Sequence, residues 1–278
     1  MRNSNQQKSI FVTGAASGIG RATALLFAER GWFVGLFDVN EKELRAVAEA
    51  IGESCCRYQA LDVTDPVNYE KAIKYFGEYT GQTMDVLFNC AGITSHGPFE
   101  AVALSDLLRI VNINVNGTII GIHFSMELLR NTRGARIINM SSASAFYGTP
   151  DLAVYSASKF AIRGLTEALN IECQRHGISV SDIMPLYVDT PMVANQAYHP
   201  GSQRLFGTRL TAAQVANVVW KAARGGRVHW SPTFTGSMID ALSRLFPPLQ
   251  RAALKSISGI QGVRPGVVSK DSSNKVLL

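Results

Sequence analysis

Short runs rich in β-branched and aromatic residues alternate along the chain with longer stretches whose apolar positions recur every three or four residues. The first pattern suits strands and the second amphipathic helices, so the alternation is that of βαβ units closing a parallel sheet. It predicts strands over Ser9–Thr13, Trp32–Asp38, Cys56–Leu61, Met84–Asn89, Arg136–Met140, Ile178–Met184 and Gly226–Trp230. Helices are expected at about 18–30, 41–51, 66–79, 103–131, 152–176 and 211–225. The expected fold class is α/β: a doubly wound, seven-stranded parallel sheet with helices on both faces.

Two stretches interrupt this rhythm. Residues 186–210 carry Pro191, Pro200, Gly201 and Gly207 in an irregular run, and a loop of that length in a compact domain usually covers a site. Beyond Gly236 a short helical pattern is followed by Pro247-Pro248, a basic apolar segment and a polar tail from about Ser269. With 278 residues, 46% hydrophobic and 17% charged, the chain reads as one globular domain over 1–278. Its core spans 9–230, with a lid over 186–210 and a C-terminal extension over 236–278.

The net charge of +6 is dispersed, and no basic run is interleaved with aromatics, which argues against a nucleic-acid partner. Cys55, Cys56, Cys90 and Cys173 show neither metal-ligand spacing nor a regular disulfide framework, so they read as reduced thiols of a cytoplasmic protein. The polar start from Met1 to Ser9 offers no apolar centre for a secretory leader, and no apolar run approaches the ~18 residues of a membrane span. His96, His123, His176, His199 and His229 lack paired ligand spacing, so no metal is expected.

Candidate chemistry sits at the strand ends. Between the first strand and first helix lies Thr13-Gly14-Ala15-Ala16-Ser17-Gly18-Ile19-Gly20. Glycines there allow a tight turn whose N–H groups approach a pyrophosphate, and the following helix aims its positive end at the same anion. Asp38 closes the second strand, where an acid accepts hydrogen bonds from an adenosine ribose and repels the 2′-phosphate of NADP; the competing role is to cap the helix at Glu41. Tyr155 and Lys159, four apart at the start of a helix, share one face. Ser142 ends the fifth strand at the carboxyl edge, where open α/β sheets bind ligands. An ammonium beside a phenol and a positive nicotinamide ring both favour the phenolate, so Tyr155 is placed to take a hydroxyl proton while Ser142 holds the substrate oxygen.

Together these motifs, with Asn89-Cys90-Ala91-Gly92 after the fourth strand and Asn114 three residues before Gly117, resemble the short-chain dehydrogenase/reductase family over residues 9 to about 230. The resemblance implies a Rossmann-like fold and an oxidoreductase acting on CH–OH groups with NAD, NADP being disfavoured by Asp38. It implies a catalytic set of Asn114, Ser142, Tyr155 and Lys159, Asn114 kinking its helix and holding a water that links Lys159 to solvent. Cofactor contacts are implied for Gly14, Ser17, Gly18, Ile19, Gly20, Asp38, Asp62, Val63, Asn89, Ala91, Gly92, Tyr155, Lys159, Pro185, Val188 and Thr190. Where the family usually has Pro-Gly, this chain has Pro185-Leu186, which adds bulk near the nicotinamide.

Tyr187, Met192, Tyr198 and Phe206 in the lid, with Phe146 and Tyr147, suit either a roomy pocket for a steroid-like or long-chain substrate or ordinary packing. Helices 103–131 and 152–176 resemble the family's tetramer bundle, and Ala157, Phe160 and Leu165 serve an interface or the core; a homotetramer or dimer is expected. The stretch Met238, Ile239, Leu242, Leu245 and Phe246, flanked by Arg244, Arg251 and Lys255, suits peripheral membrane contact or docking on its own domain. The competing functions are an NADP-dependent carbonyl reductase and a non-catalytic NAD(H)-sensing module.

Overall fold

The computed structural model describes residues 7–194, 210–245 and Lys255. The strands are β1 (Ser9–Thr13), β2 (Phe33–Asp38), β3 (Cys56–Ala60), β4 (Val86–Asn89), β5 (Arg136–Met140), β6 (Ser179–Ile183), β7 (Val188–Asp189), β8 (Leu210–Thr211) and β9 (His229–Trp230). The helices are α1 (Gly18–Glu29), α2 (Glu41–Ile51), α3 (Pro66–Thr80), α4 (Leu104–Val111), α5 (Gly117–Arg130), α6 (Ala153–Glu172), α7 (Pro191–Ala194), α8 (Ala212–Ala222) and α9 (Phe234–Leu245). Seven strands form one parallel sheet in the order β3-β2-β1-β4-β5-β6-β9. β7 and β8 make a separate parallel pair, so the expected lid is anchored by backbone hydrogen bonds at both ends.

Alternation along β1 shows why both faces are covered. Ile10 and Val12 point into a layer with Phe27, Trp32 and Trp220, while Phe11 points into the opposite layer with Phe37, Tyr69 and Phe76. All three β1 side chains are fully buried, so the strand has no polar face to offer water. The Phe11 ring stacks on Phe37 at 3.9 Å between centroids, and Trp220 meets Phe27 edge-on at 5.0 Å. Small residues set the closest approaches: a Cβ on Gly35 would stand 2.6 Å from the Phe76 ring.

Element ends depart from the sequence expectation where side chains capture backbone groups. β4 starts at Val86 instead of Met84, because Thr132 Oγ1 accepts the Met84 N–H and the Asp85 carboxylate accepts the N–H of Ser9. The last strand is only His229–Trp230, since Trp230 folds back over Gly225 and donates its indole N–H to the Arg227 carbonyl. The single helix expected over 103–131 is one continuous rod with a π turn at Asn112–Asn116. The rod over Leu104–Arg130 is long and apolar enough to cross a membrane by composition, at mean hydropathy 1.2, which corrects the expectation that no segment is. Its Ile122, Ser125, Leu128 and Leu129 are instead buried against the sheet layer.

In α9, Ile239 packs on Ala143, Phe146, Tyr147 and Met184, so this amphipathic helix docks on its own domain. Phe246 and Arg251 lie outside the described residues, as do the side chains of Leu242 and Arg244. The distal sheet edge carries a charged cluster that runs from the buried Asp182 to the exposed Glu167. His229 Nδ1 lies 2.9 Å from Asp182 Oδ1, and its Nε2 lies 3.0 Å from Glu167 Oε1.

Burial pulls the His229 imidazole down, but the hydrogen bond and charge of Asp182 outweigh it and leave the group above its ordinary value. A folded pKa raised above the unfolded one contributes stability that is full below about pH 6.5 and fades as pH rises through the folded value. Thermal unfolding from pH 5.5 to 9 should therefore show wild type exceeding His229→Gln most at the acid end, with the two curves converging toward pH 9.

Candidate active site

The strand order turns back between β1 and β4, and the carboxyl ends of these strands open into a cleft of about 720 Å³. One wall is the turn after β1. Gly14 and Gly18 adopt φ of 69° and 51°, and a Cβ on Gly20 would collide with the Gly14 carbonyl oxygen. The tight loop therefore tolerates no side chain at these points. Thr13 Oγ1 accepts the N–H groups of Cys90 and Ala91 at 3.0 and 3.1 Å, which ties this turn to the one after β4.

Asp38 sits in the cleft with Oδ2 accepting the Ala16 N–H at 3.2 Å and Oδ1 accepting that of Asn40 at 3.0 Å. It does not cap the second helix; Asn40 does, accepting from the Glu43 N–H. Its carboxylate thus braces the glycine turn from beneath and keeps further lone pairs for a ligand. Asp62 accepts from the Thr64 N–H and hydroxyl, and Val63 lies so close to Gly117 that a Cβ there would stand 2.7 Å from its Cγ2. That contact explains the glycine three residues after Asn114.

The opposite wall carries Ser142, Tyr155 and Lys159. Ser142 Oγ accepts the Ser144 N–H at 3.1 Å, and the Ala143 N–H donates to the Pro185 carbonyl at 2.9 Å. Lys159 is buried, with Nζ donating to the Met140 carbonyl at 2.8 Å and lying 5.5 Å from the centre of the Tyr155 ring. Burial pushes the Tyr155 phenol up to about 12 despite its hydrogen bond with Ser142, and lowers the Lys159 ammonium to about 8. The neighbouring lysine does not by itself make a phenolate, because desolvation of both groups favours their neutral forms.

Asn114 and Asn89 are the two sequence-predicted site residues that do not line the cleft. Asn114 is buried in the π turn, its Oδ1 accepting from the Ile93 N–H and its Nδ2 donating to the Ile93 carbonyl and to Ser158 Oγ. Its side chain thus ties the turn after β4 to α6, and Thr118 Oγ1 donates to its carbonyl at 2.9 Å. Asn89 is buried beneath the cleft, donating to Asn139 Oδ1, a role in joining β4 to β5.

Tyr147, Tyr187 and Met192 line the cleft as expected, joined by Leu152 and Leu186. Phe146 does not: it turns into a small core with Ala143 and Met184. Tyr198 and Phe206 lie outside the described residues. Leu186 takes no positive φ, so the departure from Pro-Gly is accommodated without strain while its side chain packs against two core layers. Sequence reasoning placed Thr13 at the head of the glycine turn without giving its hydroxyl a role, and missed Ser144, whose amide fixes Ser142 and which carries no spacing signal. Among the described residues no group of three or more His, Cys, Asp or Glu is arranged to hold a metal.

The sequence profile of the short chain dehydrogenase family matches residues 8–200. The chain belongs to this family. It is 35% identical over 185 residues to the 3-alpha-(or 20-beta)-hydroxysteroid dehydrogenase of Mycobacterium tuberculosis, spanning 66% of this chain and 70% of that one. It is 34% identical over 183 residues to the sorbitol dehydrogenase of Cereibacter sphaeroides, spanning 66% and 71%. The 3-ketoacyl-(acyl-carrier-protein) reductase of Brucella melitensis, complexed with NADH, superposes with a TM-score of 0.74 at 25% identity over 81% of this chain and 96% of that one. Membership makes this protein an oxidoreductase with a Rossmann-like fold.

The glycine contacts give a direct test. Gly20→Ala should lower the unfolding free energy by about 3 kcal/mol, the upper end of ordinary overpacking, because backbone meets backbone. Gly31→Ala, where φ is 77° and no atom lies within 4 Å, should lose only about 1 kcal/mol from positive φ. Urea titration of both variants measures the difference.

Proposed function

We propose that this protein is an NAD-dependent dehydrogenase/reductase that interconverts a lipophilic secondary alcohol and its ketone. The observation that carries the proposal is the convergence of Ser142, Tyr155 and Lys159 on one wall of a cleft whose other wall is a turn that excludes side chains at Gly14, Gly18 and Gly20 and is braced by Asp38. A turn closed to a Cβ at three glycines, at the amino end of α1, fits a pyrophosphate, and the Asp38 carboxylate fits a ribose diol. Val39, not a basic residue, follows Asp38, so nothing adjacent in sequence offsets repulsion of a 2′-phosphate. Gly14, Ser17, Gly18, Ile19 and Gly20 would hold the phosphates, Asp62, Val63, Ala91 and Gly92 the adenosine half, and Pro185, Val188 and Thr190 the nicotinamide. When bound, NAD supplies the carbon that takes or returns hydride and a positive ring charge beside Tyr155.

The chain's own residues do the rest. The Ser144 N–H fixes Ser142 Oγ beside Tyr155, so a substrate oxygen entering between them takes the Ser142 hydroxyl's hydrogen bond. Tyr155 removes that oxygen's proton during oxidation and returns it during reduction. Lys159 holds the ribose and lowers the phenol toward its anion once a second positive charge is present, while the Asn114 carbonyl anchors a water leading the proton outward. Tyr147, Leu152, Leu186, Tyr187 and Met192 make the substrate wall mostly apolar, which favours a lipophilic alcohol over a polyol. The compartment we assign, on cysteine usage, is the cytoplasm.

We also propose a homo-oligomer built on α4 and α6. Leu104 and Leu108 on α4 and Phe160 on α6 are 69%, 56% and 43% exposed, an apolar surface suited to a symmetric copy.

Fluorescence titration should give NADH a dissociation constant at least tenfold below that of NADPH; equal affinities would reassign the chain to NADP-dependent carbonyl reduction. Tyr155→Phe should retain NADH binding within about threefold yet lose roughly 10²–10⁴ in kcat on lipophilic alcohols. Wild-type binding of NADH without turnover of any alcohol or ketone would favour the sensing module.

A further inference from the structure

Arg163 stands one helical turn beyond Lys159 and takes no part in the chemistry above. Its side chain is 11% exposed and joins three elements. Nε donates to Glu167 Oε1 at 3.1 Å on α6 itself. Nη1 divides its hydrogens between the Ala145 carbonyl at 3.0 Å, in the turn that follows Ser142, and Asp240 Oδ1 at 3.0 Å, on α9. The guanidinium also lies 5.9 Å from the ring of Phe146. His229 Nε2 meets the same Glu167 Oε1 at 3.0 Å, and His229 is held by the fully buried Asp182 of β6. An unbroken polar chain thus runs Asp182–His229–Glu167–Arg163, where it forks to the Ser142 turn and to α9.

We propose that Arg163 is a positioning residue: it fixes the turn carrying Ser142 and couples that turn to α9, with Glu167, His229 and Asp182 setting its orientation. The inference rests on Ser142 being the residue that holds the substrate oxygen. The physical need is specific. The turn Ala143–Ala145 is a single 3₁₀ turn, with the Ala145 and Phe146 amides bonded to the carbonyls of Ser142 and Ala143. So short a helix has little cooperativity of its own and must be pinned from outside. Displacement of a substrate-orienting group by about 1 Å can reduce the rate by about a hundredfold. The planar fork reaches these acceptors from two separated nitrogens in a fixed geometry, whereas a lysine would have to reach all of them from one. Ile239 of α9, next to Asp240, packs against the cluster that contains Ala143 and Phe146, so the arginine and the isoleucine hold the same segment.

The test uses the full-length protein as wild type, Arg163→Met, Arg163→Lys and Asp240→Asn, followed by amide hydrogen exchange and by NAD-linked oxidation of cyclohexanol and a 3-hydroxysteroid. Arg163→Met should raise exchange at Ser144, Ala145 and Phe146 at least tenfold while the β1 amides of Ile10–Val12 stay protected. On whichever alcohol is turned over, kcat should fall at least tenfold with KM for NAD within twofold. Arg163→Lys should fall between, and Asp240→Asn, which keeps an acceptor oxygen, should stay near wild type. Unchanged exchange at 144–146 in a variant whose β1 remains protected overturns the proposal; if Arg163→Met fails to fold, Arg163→Lys decides by the same criterion. Absence of wild-type turnover with both alcohols counts against the dehydrogenase reading, whereas exchange judges the clamp independently.

Discussion

The junction between β1 and β4 is the constraint on which the rest of the structure depends. Two parallel strands lie side by side here, but their chains continue to helices on opposite faces of the sheet, so their carboxyl ends part and leave a crevice. Thr13 holds the crevice at a set width by accepting two amides from the turn after β4, and Gly14 lets that turn approach until a Cβ would stand 3.0 Å from Ala91. Everything that lines the cleft is measured from this junction. The glycine turn forms one wall, and β5 lies one strand further along, carrying Ser142 at its end.

Burial does two kinds of work around the junction. In the apolar layers it is ordinary packing, with β1 sealed between Phe27 and Trp220 on one side and Phe37 and Phe76 on the other. Beneath the site it is polar and ordered: Asn89 bonds Asn139, which bonds Thr166 on α6. Asn114 binds the backbone of Ile93 in both directions. Buried amides of this kind lose heavily when left unpaired, so they specify the register of sheet and helix more sharply than apolar contacts do. The π turn belongs to this layer, since it places Asn114 where its side chain reaches the β4 turn.

Electrostatics separates the two ends of α6. Near its start, desolvation leaves Tyr155 and Lys159 closer to neutrality than their proximity suggests. Farther along, Arg163 and Glu167 are drawn into a charged cluster with His229, Asp182 and Asp240. One helix therefore presents proton-transfer groups to the cleft and a fixed ionic clamp to the sheet edge and α9.

The alternation of strand and helix patterns, the glycine turn, Asp38 at the end of β2, and the pairing of Tyr155 with Lys159 were all determined by the sequence itself. These are local features: periodicity, backbone freedom and spacing on one helix face are written in neighbouring residues. Tertiary structure alone decided that Asn89 lies beneath the cleft, that Phe146 turns into the core while Tyr147 faces the site, and that Asp38 supports Ala16 instead of capping α2. It also brought Arg163, Asp182, His229 and Asp240 together from four separate elements. Which face a side chain takes in a short turn, and which charges meet across a sheet edge, depend on contacts between residues far apart in the chain. No local periodicity encodes such contacts.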